Sequence, residues 1–190
     1  MKPIYRQHVH EALDRMVPAA LPGFDHVPLK LSKEERKQAT LFTGSRLYAR
    51  VVPEGTLFIH FIPHSRQDNL EAEVGWSVSG RFPAVLTSHP PLKKPVDEKA
   101  EPSWLIPFAL LYHRKHGLGF LGWDVWQPSV STDHPDYMKI FVQEDLAPVS
   151  DEQAHAKAEA VVKAALVDVQ GVALPYLEDW VQSRRTRSEA

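Results

Sequence analysis

The stretch Arg46 to Ser79 reads RLYARVVPEGTLFIHFIPHSRQDNLEAEVGWSVS, and it decides the fold class. Three runs of strand-forming residues follow one another in it: Arg46–Val52, Thr56–Ile62 and Leu70–Ser79. Pro53-Glu54-Gly55 separates the first two. Proline presets the first turn position, and glycine takes the left-handed position that closes a short bulged hairpin. The second gap, Pro63 to Asn69, is longer and polar. The expectation is an antiparallel three-stranded meander.

Alternation along strands gives the meander two faces. Leu47, Ala49, Val51, Leu57, Ile59 and Phe61 fall on one, and Leu70, Ala72, Val74, Trp76 and Val78 join them. Tyr48, Arg50, Phe58, His60, Ile62, Glu71 and Glu73 make a mixed second face. If Val52 pairs with Thr56 across the turn, Tyr48 stands opposite His60 and Arg50 opposite Phe58. A slip of one residue exchanges the faces of a whole strand.

Helical periodicity frames the meander. After Pro3, the residues Tyr5, His8, Val9, Ala12, Leu13, Met16 and Val17 recur at helical spacing, with Pro18 and then Pro22-Gly23 expected to end the helix. Ser32 with Glu35 has the form of a capping box opening a short helix. Ser150 with Gln153 forms a second box, and Asp151 and Glu152 suit the positive end of a helix dipole. Ala154, Ala158, Val161, Val162, Ala165, Leu166 and Val169 then make one apolar stripe. Gly171 and Pro175 are expected to break or kink that helix. Leu174, Leu177, Trp180 and Val181 continue its apolar face to a basic tail, residues 184–190.

The middle of the chain is less regular. Residues 81–102 form a proline-rich excursion, expected to be irregular. Trp104–Tyr112 is apolar throughout and suits a buried strand or a short helix. Phe120–Trp126 and Tyr137–Gln143 read as further strands. The expected fold is α+β in a single domain, residues 1–190, with the N-terminal and long C-terminal helices packed mainly on one face of an antiparallel sheet.

Composition narrows the chemistry. A chain of 190 residues with 43% hydrophobic content can bury a core without a covalent or metal staple. With no cysteine there are no disulfides, thiolate metal sites or cysteine nucleophiles. This suits a reducing cytoplasm. The first sixteen residues lack the apolar core of a signal peptide, and no membrane association is expected. A formal net charge of −2 supplies no basic field for nucleic acid.

Gly117-Leu118-Gly119-Phe120-Leu121-Gly122 matches G-x-G-x-x-G, but the residues after it read as strand, so a glycine-rich turn is expected rather than a cofactor cradle. The serines lack a nucleophile elbow. His60 with His64, and His113 with His116, are the histidine spacings that can serve a metal. Neither has a carboxylate at a diagnostic offset. The Trp104, Trp123 and Trp126 set reads as core. One constellation stands out: Arg50, His60, Glu71 and Glu73 share the mixed face and are expected to gather there, partly accessible, as a binding surface.

Glu73-Val74-Gly75-Trp76-Ser77 together with Leu174-Pro175-Tyr176-Leu177 resembles bacterial domains of unknown function. These place a leading helix before an antiparallel meander and close on a helix with a Leu-Pro-aromatic step. The resemblance implies a bacterial cytoplasmic protein and no activity. From the sequence, the expected function is a non-enzymatic binding or protein-interaction module for a protein or small ligand, without a cofactor. The alternative is a metal-assisted hydrolase using His60, His64, His113 and His116.

Overall fold

The computed structural model describes residues 1–29, 44–64, 68–83 and 97–189, with side chains to 187. The expected Ser32–Glu35 capping box lies outside the described residues, as does most of the excursion. The chain runs α1 (Pro3–Ala20), β1 (Asp25–Val27), β2 (Arg46–Val52), β3 (Gly55–Pro63), β4 (Asn69–Ser77), β5 (Ser103–Pro107), α2 (Phe108–His116), β6 (Trp123–Asp124), α3 (Tyr137–Leu146), α4 (Asp151–Asp168) and α5 (Leu174–Glu189). The sheet order is β1-β2-β3-β4-β5, every pairing is antiparallel, and β6 also pairs with β4. The fold is α+β.

The inner face of the sheet meets the helices. Leu57, Ile59, Phe61, Leu70, Val74 and Trp76 are fully buried there against Tyr5, Val9 and Leu13 of α1 and Ala158, Val162 and Ala165 of α4. The whole α4 stripe named above is buried, and the Ser150–Gln153 capping box is formed in both directions. Trp180 of α5 stacks on Trp76, ring centres 5.1 Å apart. Gly75 lets β5 approach β4 closely: a Cβ at this position would lie 2.0 Å from the carbonyl oxygen of Trp104.

The hairpin corrects the expected register. Val52 pairs with Gly55, so Pro53-Glu54 alone makes the turn and Tyr48 stands opposite Ile59. Gly55 belongs to the strand, with φ 151° and room for no Cβ, since one would lie 2.7 Å from the Ser77 carbonyl oxygen. The slip turns β2 over relative to β3. Tyr48 and Arg50 enter the helical side, while Leu47, Ala49 and Val51 face out. The physical reason is amphipathic length. The Tyr48 ring is buried while its hydroxyl donates to Asp14 at 3.0 Å, and the Arg50 guanidinium lies 4.9 Å from the Phe24 ring.

Further elements differ from the sequence reading, among them Phe120–Trp126, of which only Trp123–Asp124 is strand. Pro18 sits inside α1, which runs on to Ala20 and is capped at Leu21, before Pro22-Gly23. Tyr137–Leu146 is a helix, not a strand. Tyr137 and Phe141 share one face of it, and Phe141 packs edge-on against Trp126 at 5.4 Å. The apolar run from Trp104 divides at Pro107, strand before it and helix after it.

The residues of the basic tail that the structure describes continue α5 and are pinned. Arg184 donates to the carbonyls of Ala100 and Glu101, Arg185 to Glu54 and Arg187 to Asp97. The 3-10 turn Glu98–Ala100 ends the excursion beneath them.

Between α4 and α5 the backbone makes a π turn, Val169–Ala173. Pro175 has no N–H to offer the carbonyl four residues back, and that Gly171 oxygen accepts from Lys115 Nζ at 2.5 Å instead. The continuous rod Asp151–Arg187 is long and apolar enough by composition to cross a membrane. Its apolar stripe, however, is built into the core described above, with 44% of its most apolar window buried.

Candidate functional site

The outer face of the sheet carries Val27 from β1, Leu47, Ala49 and Val51 from β2, and Thr56, Phe58, His60 and Ile62 from β3. Glu71 and Glu73 extend it on β4. Phe82, just past the meander, lies across this face. Its ring meets Phe58 edge-on at 5.4 Å and His60 at 5.2 Å. Beside Phe82 opens a groove of about 380 Å³, lined by Val27, Leu47, Ala49, Val51, Phe58 and Phe82 with Thr56 and Arg81 as its polar members. That volume lies within the usual range of small-molecule sites.

Of the four residues expected to gather, the structure brings three to this face. His60 and Glu73 are cross-strand partners, and His60 Nδ1 lies 3.2 Å from Glu73 Oε2. Glu71 is two residues along the same strand, on the same side. Desolvation raises its carboxyl above the ordinary range. His64 opposes that rise and the Glu73 charge adds to it. Glu71 also lines a smaller cleft of about 200 Å³ with Pro107, Phe120 and Leu121.

Arg50 is the correction. It stands on the helical side, with a guanidinium nitrogen 4.0 Å from Glu178 of α5, because β2 is turned over. The expected accessibility also fails for His60, whose side chain is fully buried, whereas Glu73 keeps 23% exposure. The buried imidazole is paired with the Glu73 carboxylate through Nδ1, and the Phe82 ring lies against it.

The remaining histidines lie elsewhere. His113 and His116 are on α2, where His113 Nδ1 lies 3.3 Å from the Leu118 carbonyl oxygen and His116 packs on Tyr112 at 4.5 Å. Among the described residues, no group of three or more histidines and carboxylates is placed to hold a metal ion. The glycine motif is a turn. Gly117 caps α2 in the left-handed region, φ 69°, and Gly122 passes so close to β4 that a Cβ would lie 2.9 Å from the Leu70 carbonyl oxygen. No helix opens on it. Trp123 is core, its indole N–H donating to Asp168 at 2.8 Å.

The groove residues Leu47, Ala49 and Val51 escape the sequence reading because the expected register places them on the core face. Phe82 escaped because it lies in an aperiodic, proline-rich context. The one available signal was Phe58, an aromatic on the mixed face. Comparison with family models, with curated proteins and with solved structures returned no match.

Proposed function

We propose that this protein is a non-enzymatic binding module whose ligand is a small apolar molecule with an acidic or hydrogen-bonding end. The observation that carries the reading is the groove on the outer sheet face, walled by Phe58, Phe82 and the aliphatic side chains of β1 and β2. Arg81 and Thr56 supply polar contacts beside an otherwise apolar lining, the usual composition of a site that orients one end of its ligand. The volume of the groove is that of a small-molecule site, which favours a small ligand. The cytoplasmic setting expected from a cysteine-free chain belongs to the same proposal. The hydrolase alternative gains nothing from the geometry, since His60 is buried on the outer face and His113 and His116 lie on α2.

The test uses 8-anilinonaphthalene-1-sulfonate, an apolar fluorophore with one anionic group. Native protein is expected to bind it with saturable, one-site fluorescence enhancement. Val51 is 81% exposed, so Val51→Glu leaves folding intact while setting a charge in the groove wall. Circular dichroism unchanged and dye binding lost is the expected pair of results. Dye affinity in Val51→Glu equal to that of the native protein overturns the reading.

A further inference from the structure

His8 lies on the seam where α1 packs against α4, and its side chain is only 7% exposed. Both ring nitrogens meet carboxylates. Nδ1 is 3.0 Å from Glu11 Oε2, one turn along α1, and Nε2 is 2.9 Å from Asp151 Oδ1, in the first turn of α4. A neutral imidazole has one N–H and one lone pair, so one of these carboxylates would face a lone pair. Only the imidazolium donates to both.

The other polar groups of the seam come from the same two helices. Gln7 donates to the second oxygen of Glu11 at 3.0 Å. The His155 ring stands edge-on to His8 at 5.4 Å and lies 3.5 Å from Glu159, which also pairs with Arg15 at 3.4 Å. His8 therefore sits between two carboxylates, and among the described residues a second histidine, His155, is the basic group in direct ring contact with it.

We propose that His8 is a proton-operated latch that holds the first turn of α4 onto α1, closed when the imidazole is charged and released when it is neutral. The inference is independent of the binding reading. The hydrogen bond to Asp151 is the main cause that raises the His8 pKa above its ordinary value, burial opposes it, and Glu11 adds to the rise. A folded-state pKa above the unfolded one means that the latch contributes fully below pH ~6.5 and is lost as pH rises through the raised value. Tyr5, Val9 and Leu13 keep α1 in the core throughout. What opens is the start of α4, where Gln153 N–H bonds to the Ser150 side chain and Ala154 N–H to the Ser150 carbonyl.

The test is NMR on the full chain. The His8 ring is expected to titrate above the ordinary histidine value, and Asp151→Asn to lower that midpoint. Asp151 is 83% exposed, so this variant leaves the core untouched. Hydrogen exchange at Gln153 and Ala154, corrected for the intrinsic pH dependence, is expected to lose protection several-fold between pH 6 and pH 9. In His8→Gln the same amides are expected to be poorly protected at both pH values. A His8 midpoint indifferent to Asp151→Asn, or an equal loss of protection in His8→Gln, overturns the proposal. If His8→Gln does not fold, the Asp151→Asn comparison decides alone.

Discussion

Replacing Gly75 by alanine should prise β5 from the sheet. The added Cβ would lie 2.0 Å from the Trp104 carbonyl oxygen, 2.9 Å from its carbon and 3.0 Å from Leu105 Cα. All three are backbone atoms, so no rotamer change relieves the contact. A carbon and an oxygen need about 3.3 Å, so the strands must part by roughly 1.3 Å at this point. Ladder bonds of about 2.9 Å then pass the ~3.5 Å at which they cease to count. Two buried bonds lost at about 1–3 kcal/mol each give about 2–6 kcal/mol. That is a large fraction of a typical total of about 5–15 kcal/mol. At about 2–4 °C per kcal/mol for a chain of this size, the melting temperature should fall by at least about 4 °C. Urea unfolding followed by tryptophan fluorescence reads the loss directly, since Trp76 and Trp104 are register partners across the affected ladder. A Gly75→Ala midpoint within the error of the native value would show that β5 does not lie where it is described.

Phe61→Ala should cost about 3–5 kcal/mol by urea unfolding, because Phe61 is fully buried and packs edge-on against Tyr48 at 6.1 Å. His60→Ala should destabilise by more than about 1 kcal/mol, not by the small change of a surface site; a cost under ~0.5 kcal/mol would mean that Phe82 does not cover the ring. Lys115→Met should lower stability by about 0.5–1.5 kcal/mol and increase exchange around the π turn, where Lys115 Nζ meets the Gly171 carbonyl. An unchanged exchange pattern there would separate the lysine from the turn.

Much of the frame could be read from local pattern. The α1 and α4 stripes announce themselves because helical spacing places all their large apolar residues on one side, and Ser150 with Gln153 marks the start of α4 without ambiguity. The meander is equally plain as a succession of strands. Its register is not. Val52-Pro53-Glu54-Gly55-Thr56 suits a turn of two residues or of three, and β2 and β3 carry apolar residues on both faces, so alternation cannot choose between them. The choice is made by contacts remote in sequence: Tyr48 with Asp14, Arg50 with Phe24. That single step moved Arg50 out of the expected site and brought Leu47, Ala49 and Val51 into it. The helix Tyr137–Leu146 escapes a sequence reading that expects a strand over Tyr137–Gln143, for a related reason. Tyr137 and Phe141 mark one helical stripe and Met138 and Val142 another, and the two together look like a strand-forming run.

The π turn fixes an angle as well as a path. Each residue of an α-helix advances about 100° around the axis, so the wider loop at Val169–Ala173 sets the azimuth of everything beyond it. Up to Leu166 the rod addresses α1; past Leu174 it must address the Trp76 side of the sheet, and Trp180 lands flat on that indole with 19° between the planes. Were the same five residues wound as an α-helix instead, Trp180 would swing by about a quarter turn. The two ends of this helix are thus clocked against each other by one wide turn.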